Sequence, residues 1–492
     1  MHLTLLAHHK QDYVGEDPPL GRILQMFSTH GRRYATRLNE FTDPLDLQSA
    51  GTIAVIAARL DGAYRRAEQL GSWVDSKMAA QASAALLPWS AQHVSAKPGW
   101  LSTQRGLTET LSGDLDYAVR LYTRGFSEAG RAPLGHFAGA NAAANLALIA
   151  AMRGHFDLAR LWIERMEGLG PLPDWIEHLT ALGAKISAAL IAVEEGDPAL
   201  AKHHLDRIGP VTQHVELWPF ILHVRATYEA CYGDPYKGLA ELEAARLTHG
   251  TLSVTDHGTT HDLLVRTEAK LVLRTHNAAR VLYLAQENAE DFPQQFAAWA
   301  HLYAGHPHRA IRAANRALNQ KSRRLPLSDV IELHIVLAVS QLRNGHTDRA
   351  IEEFLAALAV RTSAAHVKPF LLAPRDEIAY LAELSHAPDP LQSLPRELRP
   401  NSLYPITIVE LTPREHAVLR SLDHGETAVE AAQKFGVTPA TVRSQVSSIY
   451  RKLGVSGRAA ALARASDLGL LTENRHSRRR SPNRGGSNDR PR

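Results

Sequence analysis

The feature that most constrains this chain is a recurring break. An apolar, helix-like stretch runs into a glycine, and five positions later a small residue opens another helix-like stretch. The pattern occurs at Gly62/Ala67, Gly113/Ala118, Gly154/Ala159, Gly196/Ala201, Gly233/Gly238, Gly305/Ala310 and Gly345/Ala350. Successive glycines lie 51, 41, 42, 37, 72 and 40 residues apart. A period near forty is what stacked helix pairs produce. One pair cannot bury its apolar face alone, so neighbours must stack into a continuous core. The interval of 72 spans two periods and places a unit that has lost its glycine near Arg274–Leu284.

The chemistry of each unit is local. The glycine predicts a left-handed C-cap, where a Cβ would be strained. An Asp or Pro follows and starts the next helix. The small residue lets the two helices approach closely. Helical spacing precedes the glycine in NAAANLALIAAMR and VIELHIVLAVSQLR. The pattern resembles tetratricopeptide repeats, spaced more loosely than that family's period of about 34 residues. The resemblance covers roughly residues 50–360 and implies an α-solenoid. A body of unrelated helices is the plainer alternative.

The length of 492 residues fits about three domains, or one long repeat array plus a module. With 45% apolar and 22% charged residues, the composition is that of a globular chain. No apolar run approaches the eighteen or so residues of a membrane helix; Leu146–Met152 and Phe354–Val360 are among the longest. The N-terminus lacks the apolar core and cleavage site of a signal peptide. The one cysteine, Cys231, fits a reducing compartment. A cytoplasmic location and no membrane partner are therefore expected. The pairs His8–His9, His203–His204 and His306/His308 have no zinc-type spacing around them, so no metal site is expected. The alanine-rich faces read as close-packing core.

The layout expected is an unassigned helical region at 1–50, helical repeats at 51–386 and a Pro-rich linker at 387–405. A compact module at 406–471 and a disordered Arg-rich tail at 472–492 complete it. Charge follows this division. The tail has seven arginines against two acids, the module eight basic residues against six acids, and the rest is net −3 within an overall +4. A basic end on a mildly acidic body hints at a nucleic-acid-binding terminus.

The module, Leu411–Leu471, carries four helix starts. Thr412-Pro413-Arg414-Glu415 and Thr427 to Glu430 are capping boxes. Thr438-Pro439 opens a third helix, and Ser456-Gly457 is placed to cap a fourth. Gly425 and Gly436 end the first two. Only Phe435 to Thr438 separate the second and third helices, the helix-turn-helix signature. Val418, Leu419, Ala431, Ala432, Val437, Val442, Val446, Ile449 and Leu453 predict a shared core. The opposite face of the third helix shows Arg443, Ser444, Gln445, Ser447, Ser448 and Arg451, with no acid between Thr438 and Leu453. An acid-free helix of this kind can lie against phosphates and base edges.

These residues resemble the LuxR-type C-terminal helix-turn-helix family. The match rests on Leu411, Thr412, Arg414, Glu415, Val418, Leu419, Gly425, Glu430, Ala432, Val437, Thr441, Val442, Val446, Ile449, Lys452, Leu453, Val455 and Arg458. It covers about sixty residues. The resemblance implies a four-helix domain that binds double-stranded DNA with its third helix in the major groove. It also implies homodimerisation through the last helix, Gly457–Leu468. Carried over, Arg443, Ser444, Gln445 and Ser447 face the groove, and Thr441, Arg451 and Lys452 contact phosphates. Arg443 replaces a customary lysine, Gln445 a customary histidine and Ala417 a customary acid, which leaves the target sequence open. A small helical bundle without a DNA role is the alternative for the module.

Large regulators of this kind usually add a nucleotide-binding module. Here no G-x-x-x-x-G-K-[ST] loop occurs, and GDPYKGLA at Gly233–Ala240 fails the spacing. No catalytic motif is present either, so no enzyme activity and no cofactor are expected. The reading is an all-α bacterial transcription regulator. Its tetratricopeptide-like solenoid senses a protein, a peptide or a small effector, and solenoids offer concave surfaces to such partners. The other reading is an interaction scaffold whose DNA-binding module is not essential.

Overall fold

The structure is a computed structural model. It describes residues 20–84, 98–130, 136–172, 174–209, 216–249, 258–275, 278–287, 292–320, 325–392, 394, 411–467 and 470–471. Every regular element among them is helical. The expected tail at 472–492 and most of the expected linker lie outside the described residues. Contacts divide the chain into two compact units. One is formed from residues 1–276 and 290–405, the other from 277–289 and 406–492.

The first unit is a stack of helix pairs. Trp100–Ser112 packs on Leu115–Ala129, His136–Met152 on Phe156–Glu167, Leu182–Glu194 on Pro198–Ile208, and Leu327–Arg343 on Thr347–Val360. The turns are built as the sequence requires. Gly62, Gly113, Gly154, Gly196, Gly305 and Gly345 all have left-handed φ, between 73° and 112°. After them, Asp114 and Asp197 cap the next helix by accepting from the amides of Tyr117 and Leu200, both at 2.9 Å. The small residues at the fifth position, Ala67, Ala118, Ala159, Ala201, Ala310 and Ala350, are wholly buried between helices.

Gly233 departs from the expectation. Its φ is −122°, extended rather than left-handed. The Glu229 side chain folds over this turn, accepting from the Asp234 amide at 2.9 Å and occupying the space a Cβ on residue 233 would need. Glycine is required there by a side chain, not by its own φ. The unit without a glycine also differs. Thr259–Arg274 ends on Thr275 with φ −81°, and the helix that follows, Ala278–Glu287, belongs to the second unit.

The stack winds until its turns meet later helices. The Leu327 amide donates to the Arg153 carbonyl at 3.0 Å, and the Val367 amide to the Glu194 carbonyl at 3.0 Å. Gly113 faces the backbone of Gly258. The helices lining the inside are therefore buried nearly all round. In Leu182–Glu194 only Lys185 and Ala188 are even partly exposed, and Thr259–Arg274 is enclosed in the same way. This interior face is filled by the chain itself, unlike the open concave surface expected from the repeat pattern. Leu391 and Leu394 are also buried, so the first residues of the expected linker pack as core.

Two glycines separate the costs at such turns. Gly154→Ala places a Cβ 2.9 Å from Leu327 Cβ, whereas Gly305→Ala meets nothing within 4 Å. Both lose about 1–2 kcal/mol from left-handed strain, and Gly154→Ala is expected to lose more. Urea midpoints at equal slope check this, and equal losses would contradict the closure.

Candidate nucleic-acid interface

The second unit holds four short helices, Pro413–Asp423, Ala428–Phe435, Pro439–Leu453 and Arg458–Asp467. Their starts are set by local hydrogen bonds. In the first, Thr412 Oγ1 accepts from the Glu415 amide at 3.2 Å while Glu415 Oε2 accepts from the Thr412 amide at 2.7 Å. Thr427 and Glu430 repeat this reciprocal box at 3.3 and 2.7 Å. Gly436, at φ 65°, ends the second helix, and Thr438 caps the third by accepting from the Thr441 amide at 3.2 Å. Only Gly436 and Val437 lie between the second helix and that cap, so the two helices turn sharply into one another.

The expected core forms. Val418, Leu419, Ala431, Ala432, Val442, Ile449 and Leu453 are buried together, with Leu411, Ala461, Ala465 and Leu470 beside them. Val437 and Val446 pack against this core half-buried. Arg414 ties the first helix to the turn, donating to the Phe435 carbonyl at 2.9 Å with its guanidinium over the Phe435 ring. Arg458 ties the fourth helix back to the Leu422 carbonyl.

The third helix divides its sides cleanly. Val442, Val446, Ile449 and Leu453 face the core. Arg443, Ser447 and Arg451 follow one another at single-turn intervals on the exposed side, with Ser444 next to them and Thr441 at the helix start. No ion pair engages Arg443 or Arg451 among the described residues, and the helix itself carries no acid. Five of the seven predicted contact residues thus share an open, basic, hydroxyl-bearing surface.

The remaining two are held differently. Lys452 donates to Glu415 Oε2 at 2.6 Å, and Ser448 donates to Glu415 Oε1 at 2.8 Å. Lys452, read from the sequence as a phosphate contact, spends its ammonium inside the module. Gln445 lies half-buried at the edge of the exposed side, its carbonyl oxygen buried and without a hydrogen-bond donor. Such an oxygen gains a partner if the side chain turns outward.

Glu415 is the residue whose role the sequence left unread. Its place in the capping box was legible, but the reach to Ser448 and Lys452, over thirty residues away, follows no local rule. Burial opposes its charge, yet Lys452, the Thr412 amide and Ser448 outweigh it and hold the carboxyl down at about 2. The charged form is therefore stabilised by folding.

The segment Ala278–Glu287 is also part of this unit. Ala279 joins the core around Val418 and Leu419. The Tyr283 ring lies 4.3 Å from that of His416 and beneath the Arg420 guanidinium at 5.9 Å. This contact uses the first helix of the module and leaves the exposed side of the third helix free.

Comparison with known proteins places the module in context. Residues 409–465 match the GerE family, bacterial regulatory proteins of the luxR family. Over 85 residues the chain is 39% identical to the probable transcriptional regulatory protein NarL of Mycobacterium tuberculosis, strains CDC 1551 / Oshkosh and ATCC 25618 / H37Rv. That alignment takes in 17% of this chain and 38% of each relative. The chain thus carries a luxR-family helix-turn-helix module at its C-terminal end. No helix among the described residues is long and apolar enough to cross a membrane.

Removing the Glu415 charge tests the anchor. Glu415→Gln is expected to lower protection of amides in residues 411–471 from hydrogen exchange by about 1–3 kcal/mol. Because the folded carboxyl titrates below its ordinary value of 4.5, the wild-type advantage is full above that pH and vanishes towards pH 2. An advantage that grew on acidification would refute this account.

Proposed function

We propose that the protein is a sequence-specific DNA-binding transcription regulator of the cytoplasm, with the repeat unit as its sensory part. The observation that carries this reading is the exposed stripe Arg443–Ser447–Arg451 on an acid-free helix whose other side is core. In the major groove, Arg443 offers two parallel donors to the O6 and N7 of a guanine, and Ser444 and Ser447 offer hydroxyls to neighbouring edges. Gln445, once turned outward, has the bidentate geometry that reads adenine. Thr441 and Arg451 lie at the two ends of the stripe, where the phosphate backbones pass.

The match to the luxR family and to a probable transcriptional regulatory protein supports the same reading. Two copies are proposed to bind together through the fourth helix. Ala459, Ala460 and Ala463 are exposed there and allow close approach of a second helix. A pseudo-palindromic operator follows from such pairing. The repeats are proposed to shift the spacing or freedom of the two modules when an effector binds.

The test is binding of the full chain to its genomic targets, recovered by pull-down. Arg443→Ala is expected to cost about 1–3 kcal/mol on the recovered motif and to relax preference at one base position. Equal weakening on all sequences would reduce Arg443 to a phosphate contact, and no weakening would favour the scaffold reading. A paired comparison separates two neighbours. Arg451→Ala should lower the salt slope of binding by about one unit. Lys452→Ala should instead reduce amide protection of the module with little change in that slope, because its charge is engaged by Glu415.

A further inference from the structure

The repeat unit encloses a group of charged side chains that packing alone does not require. Each comes from a different turn of the stack. Glu194 ends Leu182–Glu194, Thr227 lies in Trp218–Tyr232, Lys270 in Thr259–Arg274 and Glu332 in Leu327–Arg343. His366 and Lys368 flank the start of the short turn Lys368–Leu372. All six are buried. Lys368 is bracketed by carboxylates, 2.8 Å from Glu332 Oε1 and 3.4 Å from Glu194 Oε1. The second Glu194 oxygen accepts from Ser328 at 2.9 Å and faces His366 Nε2 at 3.2 Å.

Lys270 is not compensated in this way. Its ammonium donates to Thr227 Oγ1 at 3.0 Å, and no carboxylate reaches it among the described residues. Two of its three donors are idle. Nδ1 of His366, in the same electrostatic group, is buried and has no partner either. Burial, and then the like charge of Lys368, pull the Lys270 amine down to about 8. Burial pushes the Glu332 carboxyl up. A desolvated ammonium with a single neutral acceptor is costly, and a stack of apolar helices has no need of one. The group is short of one negative charge beside Lys270.

We propose that the interior of the repeat unit is a binding site for a small organic anion, whose carboxylate or phosphate accepts from Lys270 and Thr227. The occupant is small because the surrounding helices are enclosed and the stack is closed by Leu327 on Arg153 and Val367 on Glu194. A peptide has no path along such an interior. Glu194, Glu332 and Lys368 contribute to the same group from three separate turns, so an occupant fixes the winding of the stack. The inference deepens the sensory role proposed above and rests on it.

The experiment uses the full chain and defined probes: sodium acetate, succinate, glutamate and inorganic phosphate, each against sodium chloride at equal ionic strength. At least one probe is expected to raise the thermal midpoint saturably by about 2–4 °C at concentrations well above its dissociation constant. The carboxylate and phosphate arms tell the two anion types apart. Lys270→Met should abolish the response, and Thr227→Val should move its midpoint to at least about fivefold higher probe, about 1 kcal/mol of lost hydrogen bonding. Circular dichroism confirms that each variant folds, and Thr227→Val decides alone if Lys270→Met does not. The proposal is overturned if no probe exceeds chloride, or if the folded variants respond as the wild type does. DNA affinity is measured alongside. A probe that binds without altering it leaves the site standing and removes the sensory role, whereas failure of every probe removes the site and leaves DNA recognition untouched.

Discussion

Close approach of two helices at a residue without bulk is the constraint on which the repeat unit depends. Ala67, Ala118, Ala159, Ala201, Ala310 and Ala350 are wholly buried, one per pair. Each sits one turn into its helix, directly after the left-handed glycine, so turn and contact are set together. A larger side chain there would part the pair and misalign every unit stacked on it, because each unit buries its apolar face only against its neighbours. The winding of the stack, its closure and the enclosure of its interior all follow from this regular short spacing. The conflict at Gly238, where an added Cβ would press on Leu271 Cδ2 at 2.5 Å, shows how little room the arrangement leaves.

What the sequence revealed is what lies within a few residues of itself. A glycine with a small residue five positions on, a threonine with a glutamate three positions on, and a glycine between two helical runs are local patterns with local causes. They located the helix pairs, the turns and the helix-turn-helix, and the family resemblance of the module came with them. Contacts between distant turns have no such signature. Leu327 meets Arg153 and Val367 meets Glu194 because of how the whole stack curves. Curvature accumulates from small rotations in every unit, and no single residue encodes it. For that reason the sequence suggested an open concave face where the structure has a filled one.

The same limit applies inside the module. The exposed stripe was legible because Val442, Val446, Ile449 and Leu453 mark the opposite side by their spacing. Lys452 carries the same charge as Arg451 and differs only in which way it points. Its partner Glu415 stands at the first turn of another helix, where a carboxylate also complements the amides of the helix start. Lys452, in the last turn of the third helix, complements the carbonyls there. One ion pair therefore joins the favourable end of one helix to the favourable end of another, and it sets the angle at which the stripe is presented.

The helix Ala278–Glu287 shows why order along the chain and membership of a unit need not agree. Counted along the sequence it is the second half of a repeat, the one without its glycine. Its Ala279 and Tyr283, one turn apart, are instead used to cover His416 and the core beside Val418. A small residue and an aromatic ring on one face suit a shallow surface that a module of four short helices leaves uncovered. The chain thereby enters the DNA-binding unit twice, once from the middle of the repeats and once through residues 395–410. A module joined at two points has less freedom than one on a single linker, and a change in the winding of the repeats acts on it through both connections. This gives the sensory reading a mechanical basis that a flexible tether alone would lack.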